Sequence, residues 1–575
     1  MNNTIKNTIK NKTKNRINHH SINAMLLLIF AIAVMFSACN LAVNGNKNSS
    51  TVGIENYEYR SVTGNTIQMR VLSNQAIIKT ATDFDEEKLT DKGFTVSEKI
   101  ELPDAVYRLV YAKEGVKTNT ASAIKMLKTI DGIFHVEPNS VLKLIKPVKN
   151  ALNNTQSIRA IGLDSQSEGN CEYPFRKTEA LTAYENYHNQ TKPVLAGIID
   201  SGVTWAHEDF GGKDSSNVIV KSKTAFSGDS ITEVSKYTNH DDMGHGTHCA
   251  GIIAGKVNGK GIYGSAYKSN VKLMSYKVFK KGSKKSGSTW AVYTSLYDFA
   301  KYVADNNITN SQKTVPVNMS LGGFSTEGLA IDVVNYALSK GVLPVVAMGN
   351  EGRVIASYPA VIPGVLPVGA TNQHDKIASF SSRGSWISIC APGKSILSLS
   401  NSGTDKYVSM SGTSMATPFV TGVITYLIAN GGHELTPLQM RAVLEETANQ
   451  VGGVSYNTDG FNTTYGYGRI NVNNAVRLVK GNTVNSKTLA TVKAKYKEAV
   501  FTIITSAAST VYAYENDLNG QCVASVLTTV KKGETKAKCT IRIPYFKDSP
   551  PNFCFYSNGS IKTKTATDTT VDFTN

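Results

Sequence analysis

Val194-Leu195-Ala196-Gly197-Ile198-Ile199-Asp200-Ser201-Gly202 decides the fold. The run is apolar for six residues, then stops at a carboxylate followed by two turn-forming residues. A strand covered on both faces reads this way, whereas a half-exposed strand alternates. Working outward, the pattern returns at Val271 to Val278, Val315 to Met319 and Gly341 to Ala347. Helical stretches separate these runs: Gly246 to Ala254, Trp290 to Ala304, Leu329 to Lys340 and Ser414 to Ala429. Apolar strands alternating with helices predict an α/β domain built on a buried parallel sheet, over residues 151–480. Active groups in such sheets collect at the carboxyl ends of the strands.

Three segments on that edge carry chemistry. Asp200 ends the first strand, His245 opens a helix in His245-Gly246-Thr247-His248-Cys249-Ala250-Gly251, and Ser414 opens another in Gly412-Thr413-Ser414-Met415-Ala416-Thr417-Pro418. A serine hydroxyl is a weak nucleophile near neutral pH; it needs a positioned base, and the base needs an orienting group. Each segment alone has an ordinary use, as a turn aspartate, a structural histidine or a helix cap. Together, in the order Asp, His, Ser, they resemble the signature motifs of the subtilase family of serine proteases. The resemblance covers about 151–480 and implies a subtilisin-like fold.

That resemblance assigns roles by motif position. Ser414 attacks the scissile carbonyl, His245 moves the proton, and Asp200 holds the imidazole. His248 corresponds to a structural histidine, and Cys249 to a buried, unreactive thiol. Val345 to Gly352, reading VVAMGNEG, is similar to the family's oxyanion segment, with Asn350 as the side-chain donor beside the Ser414 N–H. Ser320, Leu321 and Gly322 match the edge strand on which substrate backbone is laid. Ala347, Met348 and Gly349 are expected on the facing wall of the specificity pocket and Ser357 at its base, with Met348 able to narrow the slot. The pocket holds no acidic residue at its base, so apolar side chains are expected before the scissile bond. Asp209 and Asn258 match two ligands of a structural calcium site, with carbonyls around Lys256, Lys260 and Ile262 completing it.

The rest of the 575-residue chain is read around this domain. A basic start and the apolar run Met25 to Phe36 form a signal peptide over 1–38, too short to span a membrane. Ser37-Ala38-Cys39 resembles a bacterial lipoprotein box, which implies lipid on Cys39 and a membrane anchor. Residues 39–65 read as a polar tether. Residues 66–150 read as a small α+β unit whose Val136-Glu137-Pro138-Asn139 resembles the close of a subtilase propeptide, an inhibitor and chaperone of its own protease. Thr-, Val- and Tyr-rich segments over 481–575 predict a C-terminal β-sandwich. The net charge is +17, but Lys6, Lys10, Lys12, Lys14 and Arg16 crowd the extreme N-terminus and the remaining lysines are scattered. No nucleic-acid partner is expected. Of seven cysteines, Cys522, Cys539 and Cys554 lie close enough in sequence for one local disulfide.

The expectation is an exported serine endopeptidase acting on proteins or peptides, held at the cell envelope or outer surface as a lipoprotein, or released from it. Two other classes share the fold: a surface scaffold or adhesin, and a transpeptidase. The intact Asp200, His245, Ser414 and Asn350 speak against a scaffold, and only product analysis separates transfer from hydrolysis.

Overall fold

The computed structural model describes residues 53–60, 66–147 except 115–117, 158–159, and 172–574 except short stretches at 213–217, 227–228, 235–240, 257, 260, 284–286, 325–327, 508, 516–521, 529–534, 547–551, 558–559 and 566. The signal peptide expected over 1–38, Cys39, Cys171 and Lys260 lie outside them.

The N-terminal domain is a five-stranded antiparallel sheet. Its strands are β1 (Ile54–Arg60), β2 (Thr66–Thr80), β3 (Phe94–Glu101), β4 (Val106–Ala112) and β5 (Ile133–Ser140), in the order β1-β2-β4-β3 with β5 also on β2. The start of this domain corrects the reading of 39–65 as tether throughout. The reason is alternation: Tyr57 and Tyr59 of IENYEYR pack on Ile67, Met69 and Val71 although the stretch is polar overall. Neighbouring residues of β2 point to opposite faces. Ala76 and Ile78 pack under helix α1 (Thr120–Leu127), whose start is capped by Asn119 accepting from the Ser122 N–H at 2.8 Å. Ile77 faces the other way, with Tyr107 and Leu109, into the next domain.

That domain carries an eight-stranded sheet. In chain order its elements are β7 (Asn189–Asp200), β8 (Ile219–Phe226), β9 (Asp229–Glu233), α2 (His245–Ala254), β10 (Ser269–Lys277), α3 (Thr289–Asp305), β11 (Val315–Met319), the short edge strand β12 (Leu321–Gly322), α4 (Leu329–Ser339), β13 (Val342–Ala347), β14 (Leu366–Thr371), β15 (Ile389–Pro392), α5 (Thr413–Ala429) and α6 (Pro437–Glu446). Just ahead of them lies the two-residue strand β6 (Lys143–Leu144). The sheet order is β9-β8-β10-β7-β11-β13-β14-β15, parallel except for the β9/β8 pair. Helices α2 and α5 bury one face of it, and α3 and α4 the other. Strand β7 sits where the chain order reverses, between β10 and β11, so its carboxyl end opens into the cleft.

The two domains are joined through helix starts, whose first N–H groups lack partners within the helix. Glu137, fully buried, accepts from the Leu329 N–H at 2.9 Å and the Gly328 N–H at 3.3 Å, capping α4. Asn139 accepts from the Trp290 N–H at 3.0 Å, reinforcing the start of α3. Lys79 pairs with Asp332 of α4 at 2.7 Å in a buried contact.

Residues 481–495 pack on the catalytic core through Val484 and Val492, so that core runs past the expected boundary at 480. The C-terminal sandwich follows. Its strands are β16 (Tyr496–Thr505), β17 (Ser509–Glu515), β18 (Cys522–Thr528), β19 (Ala537–Phe546), β20 (Asn552–Ser557), β21 (Ser560–Thr565) and β22 (Thr570–Asp572). They form sheets β19-β16-β22 and β18-β17-β20-β21, closed on Phe501, Ile503, Val511, Ile541, Phe553 and Phe555. Cys539 is a free thiol, so no local disulfide involves it.

Candidate active site

Asp200 is the last residue of β7, one per cent exposed. His245 is the first residue of α2, after Gly244 at φ 85°, a left-handed conformation that favours glycine. The His245 Nδ1–H donates to Asp200 at 2.9 and 3.0 Å from its two oxygens. An ionised carboxylate only accepts, so Nδ1 carries the proton and Nε2 is left basic in the neutral ring. Nε2 is buried and has no hydrogen-bond partner among the described residues. Burial works against the imidazolium, but the Asp200 charge, helped by Cys249, outweighs it and raises His245 above the ordinary histidine value. Gly246 is obligatory for close approach: a Cβ there would lie 2.2 Å from the Gly202 carbonyl oxygen.

Ser414 stands in the first turn of α5, buried. Its carbonyl oxygen accepts from Ser320 Oγ at 3.0 Å and from Cys249 Sγ at 3.3 Å, and the same sulfur lies 3.9 Å from His245 Nδ1. Cys249 thus bridges the serine and histidine segments as a buried thiol, its pKa raised by that burial. Asn350 accepts the Thr413 N–H at 2.9 Å and the Thr413 hydroxyl at 3.0 Å through Oδ1, which turns its Nδ2 toward the cleft.

The cleft is filled by the protein's own chain. Strand β6 pairs antiparallel with β12, Leu144 opposite Leu321 and Lys143 opposite Gly322. The Ile145 N–H donates to the Ser320 carbonyl at 3.3 Å. The Ser414 hydroxyl donates to the Ile145 carbonyl at 2.8 Å, and Asn350 Nδ2 donates to the next carbonyl, Lys146, at 2.9 Å. These two donors mark different carbonyls. Strand register and the serine both select Ile145, and so does its side chain. A Cβ placed on Gly322 would lie 3.7 Å from Ile145 Cδ1 and 2.6 Å from Ser357 Oγ, so Ile145 and Ser357 share the space that Gly322 leaves open.

Of the expected pocket residues, Ala347 ends β13 in the wall and Gly349 follows at φ 105°. Met348 does not narrow the slot. Its side chain packs with Ile387, Cys390 and Tyr465 behind the wall. His248 plays a structural part, its Nε2–H donating to the Val408 carbonyl at 3.0 Å, and burial lowers its pKa to about 3.

Asp209 and Asn258 meet, Nδ2 to Oδ1 at 3.3 Å. Asp209 also accepts from the Ile262 N–H and the Tyr407 hydroxyl, both at 2.9 Å. Burial pushes its carboxyl up to about 7, and no lysine or arginine among the described residues pairs with it. A buried carboxylate without a cation of its own, facing an amide that can present its oxygen, fits a hard cation.

One residue of the site escaped the sequence reading. Asp241, fully buried, accepts from the Ser201 hydroxyl (2.8 Å), the Met243 N–H (2.9 Å), the Gly244 N–H (2.8 Å), the Thr247 N–H (2.8 Å) and the Thr247 hydroxyl (2.8 Å). It fixes the turn that presents His245 and, through Ser201, the strand end that presents Asp200. Its signal was a carboxylate four residues before the histidine.

A model of the subtilase family matches residues 191–468. Thermitase of Thermoactinomyces vulgaris is 35% identical over 308 residues, 53% of this chain and 96% of thermitase. A thermophilic serine proteinase of Bacillus sp. is 33% identical over 280 residues, 48% of this chain and 60% of that protein's length. Among solved structures, fervidolysin of Fervidobacterium pennivorans, described as a keratinolytic enzyme related to subtilisin, superposes with a TM-score of 0.62 at 20% identity, over 92% of this chain and 83% of its own. The epidermin leader peptide processing protease of Staphylococcus aureus superposes with 0.52 at 19% identity, over 72% of this chain and all of its own. These two likenesses concern the fold.

Proposed function

The chain belongs to the subtilase family of serine endopeptidases, and from that premise we propose that it is an exported zymogen that cuts itself between Ile145 and Lys146. The observation that carries this is the Ile145 carbonyl on the Ser414 hydroxyl, with the Ile145 N–H on Ser320. In the reaction, Ser414 Oγ attacks that carbonyl as His245 Nε2 takes its proton, and Asp200 stabilises the imidazolium. The carbonyl swings to the Asn350 amide and the Ser414 N–H, which bind the developing oxyanion. His245 then protonates the leaving amine, and water releases the acyl group by the reverse sequence. Protein substrates follow the same path, with apolar residues preferred in the Gly322–Ser357 slot, because a buried charge there would lack a partner.

Asp209 and Asn258 would hold a structural calcium ion, which ties the loop around Ile262 to the core. Cys39 would carry the lipid that anchors the mature enzyme to a membrane at the cell envelope or outer surface.

Express the chain from Asn40 beside its Ser414→Ala variant, then sequence the N-termini and assay casein. A new N-terminus at Lys146 in the active protein alone is expected. Full casein hydrolysis by Ser414→Ala, or a fully active chain still carrying residues upstream of Gln68, overturns the reading.

A further inference from the structure

Strand β17 turns Val511 and Ala513 into the sandwich core, so Tyr512 points out of the sandwich. An outward tyrosine on a lone sandwich would meet water, yet Tyr512 is only 5% exposed. Its neighbours behave alike. On β20, Phe553 and Phe555 fill the core, while Cys554 faces out at 7% exposure, and Tyr556 pairs directly with Tyr512. Around Tyr512 the cover is the N-terminal domain, whose Ile77, Ile100, Leu102 and Leu109 share one apolar cluster with Tyr512 and Cys554, while helix α4 of the protease packs on the neighbouring β18.

The contact is also polar and directional. The Tyr512 hydroxyl lies 2.6 Å from His135 Nδ1, the rings meeting edge-on at 6.0 Å. His135 Nε2 lies 3.3 Å from Glu137, and Glu137 caps α4. One line of contacts therefore runs from the sandwich, through the N-terminal domain, to the protease helix. The sandwich is in turn fixed to the protease by Lys495 and Tyr496, both on buried Glu445.

We propose that the C-terminal sandwich is a retaining jaw for the cleaved N-terminal domain, residues 53–145, so that the protease releases its inhibitor slowly after the cut. This rests on the zymogen reading above. Cutting at Ile145 frees the tail from the cleft but leaves the His135–Tyr512 contact and the helix caps intact. Interface changes of this kind act mainly on dissociation, and aromatic anchors carry much of the effect.

The test uses the full chain expressed from Asn40. After self-processing, the lag before peptide-anilide hydrolysis and the co-elution of the N-terminal fragment on size exclusion report its release. Tyr512→Ala and His135→Ala are each expected to shorten the lag about tenfold, with Tyr512→Phe intermediate. The exposed Ile561→Ser, elsewhere on the sandwich, should match wild type. Fully matured Tyr512→Ala should keep wild-type kcat/KM, which also shows that it folded; if it does not fold, Tyr512→Phe is read alone. A cut at Ile145 followed by wild-type lags in the folded variants overturns the jaw and leaves the zymogen standing. No cut in the wild-type chain overturns both.

Discussion

His245 must be neutral to accept the serine proton, and Asp200 makes that harder by stabilising its charged form. The group's pKa is raised in the folded site, so activity is lost as pH falls through a value above the usual 6.5 or so for histidine. The acid limb of kcat/KM on a peptide anilide should accordingly have its midpoint above that value. Asp200→Asn removes the carboxylate and the tautomer it enforces, and should lower kcat about 10⁴-fold. If the Asn350 amide binds the developing oxyanion as proposed, Asn350→Ala, matured in trans by wild-type enzyme, should lose about 10²–10³ in kcat with KM changed far less. A kcat within tenfold of wild type would remove Asn350 from the oxyanion site. The calcium site proposed at Asp209 bears on stability instead. Calcium that binds only the folded chain raises its melting temperature by mass action, so EDTA should lower Tm in wild type and leave Asp209→Ala unmoved.

The strand β6 joins the protease by two residue pairs and one side-chain slot, which makes Ile145 the discriminating position. Ile145→Leu should process at a rate near wild type, and Ile145→Asp should stall, as gel analysis of the precursor would show. Equal processing of the two would put the scissile bond elsewhere. Elements of this kind were legible where a rule is local. The Asp200, His245, Ser414 and Asn350 segments each combine an apolar run, a turn and one reactive group within ten residues, and the sheet and helices stand where their patterns put them. What escaped depends on distant partners. Strand β1 hides in polar composition until its tyrosines find β2. Asp241 has meaning only once Ser201, 40 residues earlier, returns to it. Met348 sits in a wall segment, but the backbone alone decides which side its chain takes. The pairing of Tyr512 with His135 spans 377 positions, and nothing short of the fold announces it.

At the scale of the molecule, the joint between protease and sandwich is ionic and buried. Glu445, fully enclosed, takes Lys495 at 2.6 Å, Arg441 at 2.8 Å and the Ser388 hydroxyl at 2.7 Å. Burial opposes its charge, but Lys495 and Arg441 prevail and hold the carboxyl down at about 2. Its folded pKa is below the unfolded one, so this support is complete above about pH 4.5 and disappears as pH falls toward 2. Glu445→Gln leaves the buried Arg441 without a carboxylate among the described residues, while Lys495 keeps Glu446 at 2.9 Å, and should cost about 3–5 kcal/mol. Its melting curves should also lose part of the acid-side slope that wild type shows between pH 4.5 and 2. Identical slopes would mean the joint is not held by this carboxylate. The edge strand at Ser320 to Gly322 has a broader consequence. It receives its guest as backbone, in fully extended form, and no natively folded helix or tight turn can be threaded there. Cleavage of a compact protein must wait for that protein to fray, so the rate should track the victim's local opening free energy more closely than its sequence. The enzyme would then act on a mixed population as a gauge of disorder, consuming damaged or loosely folded chains first.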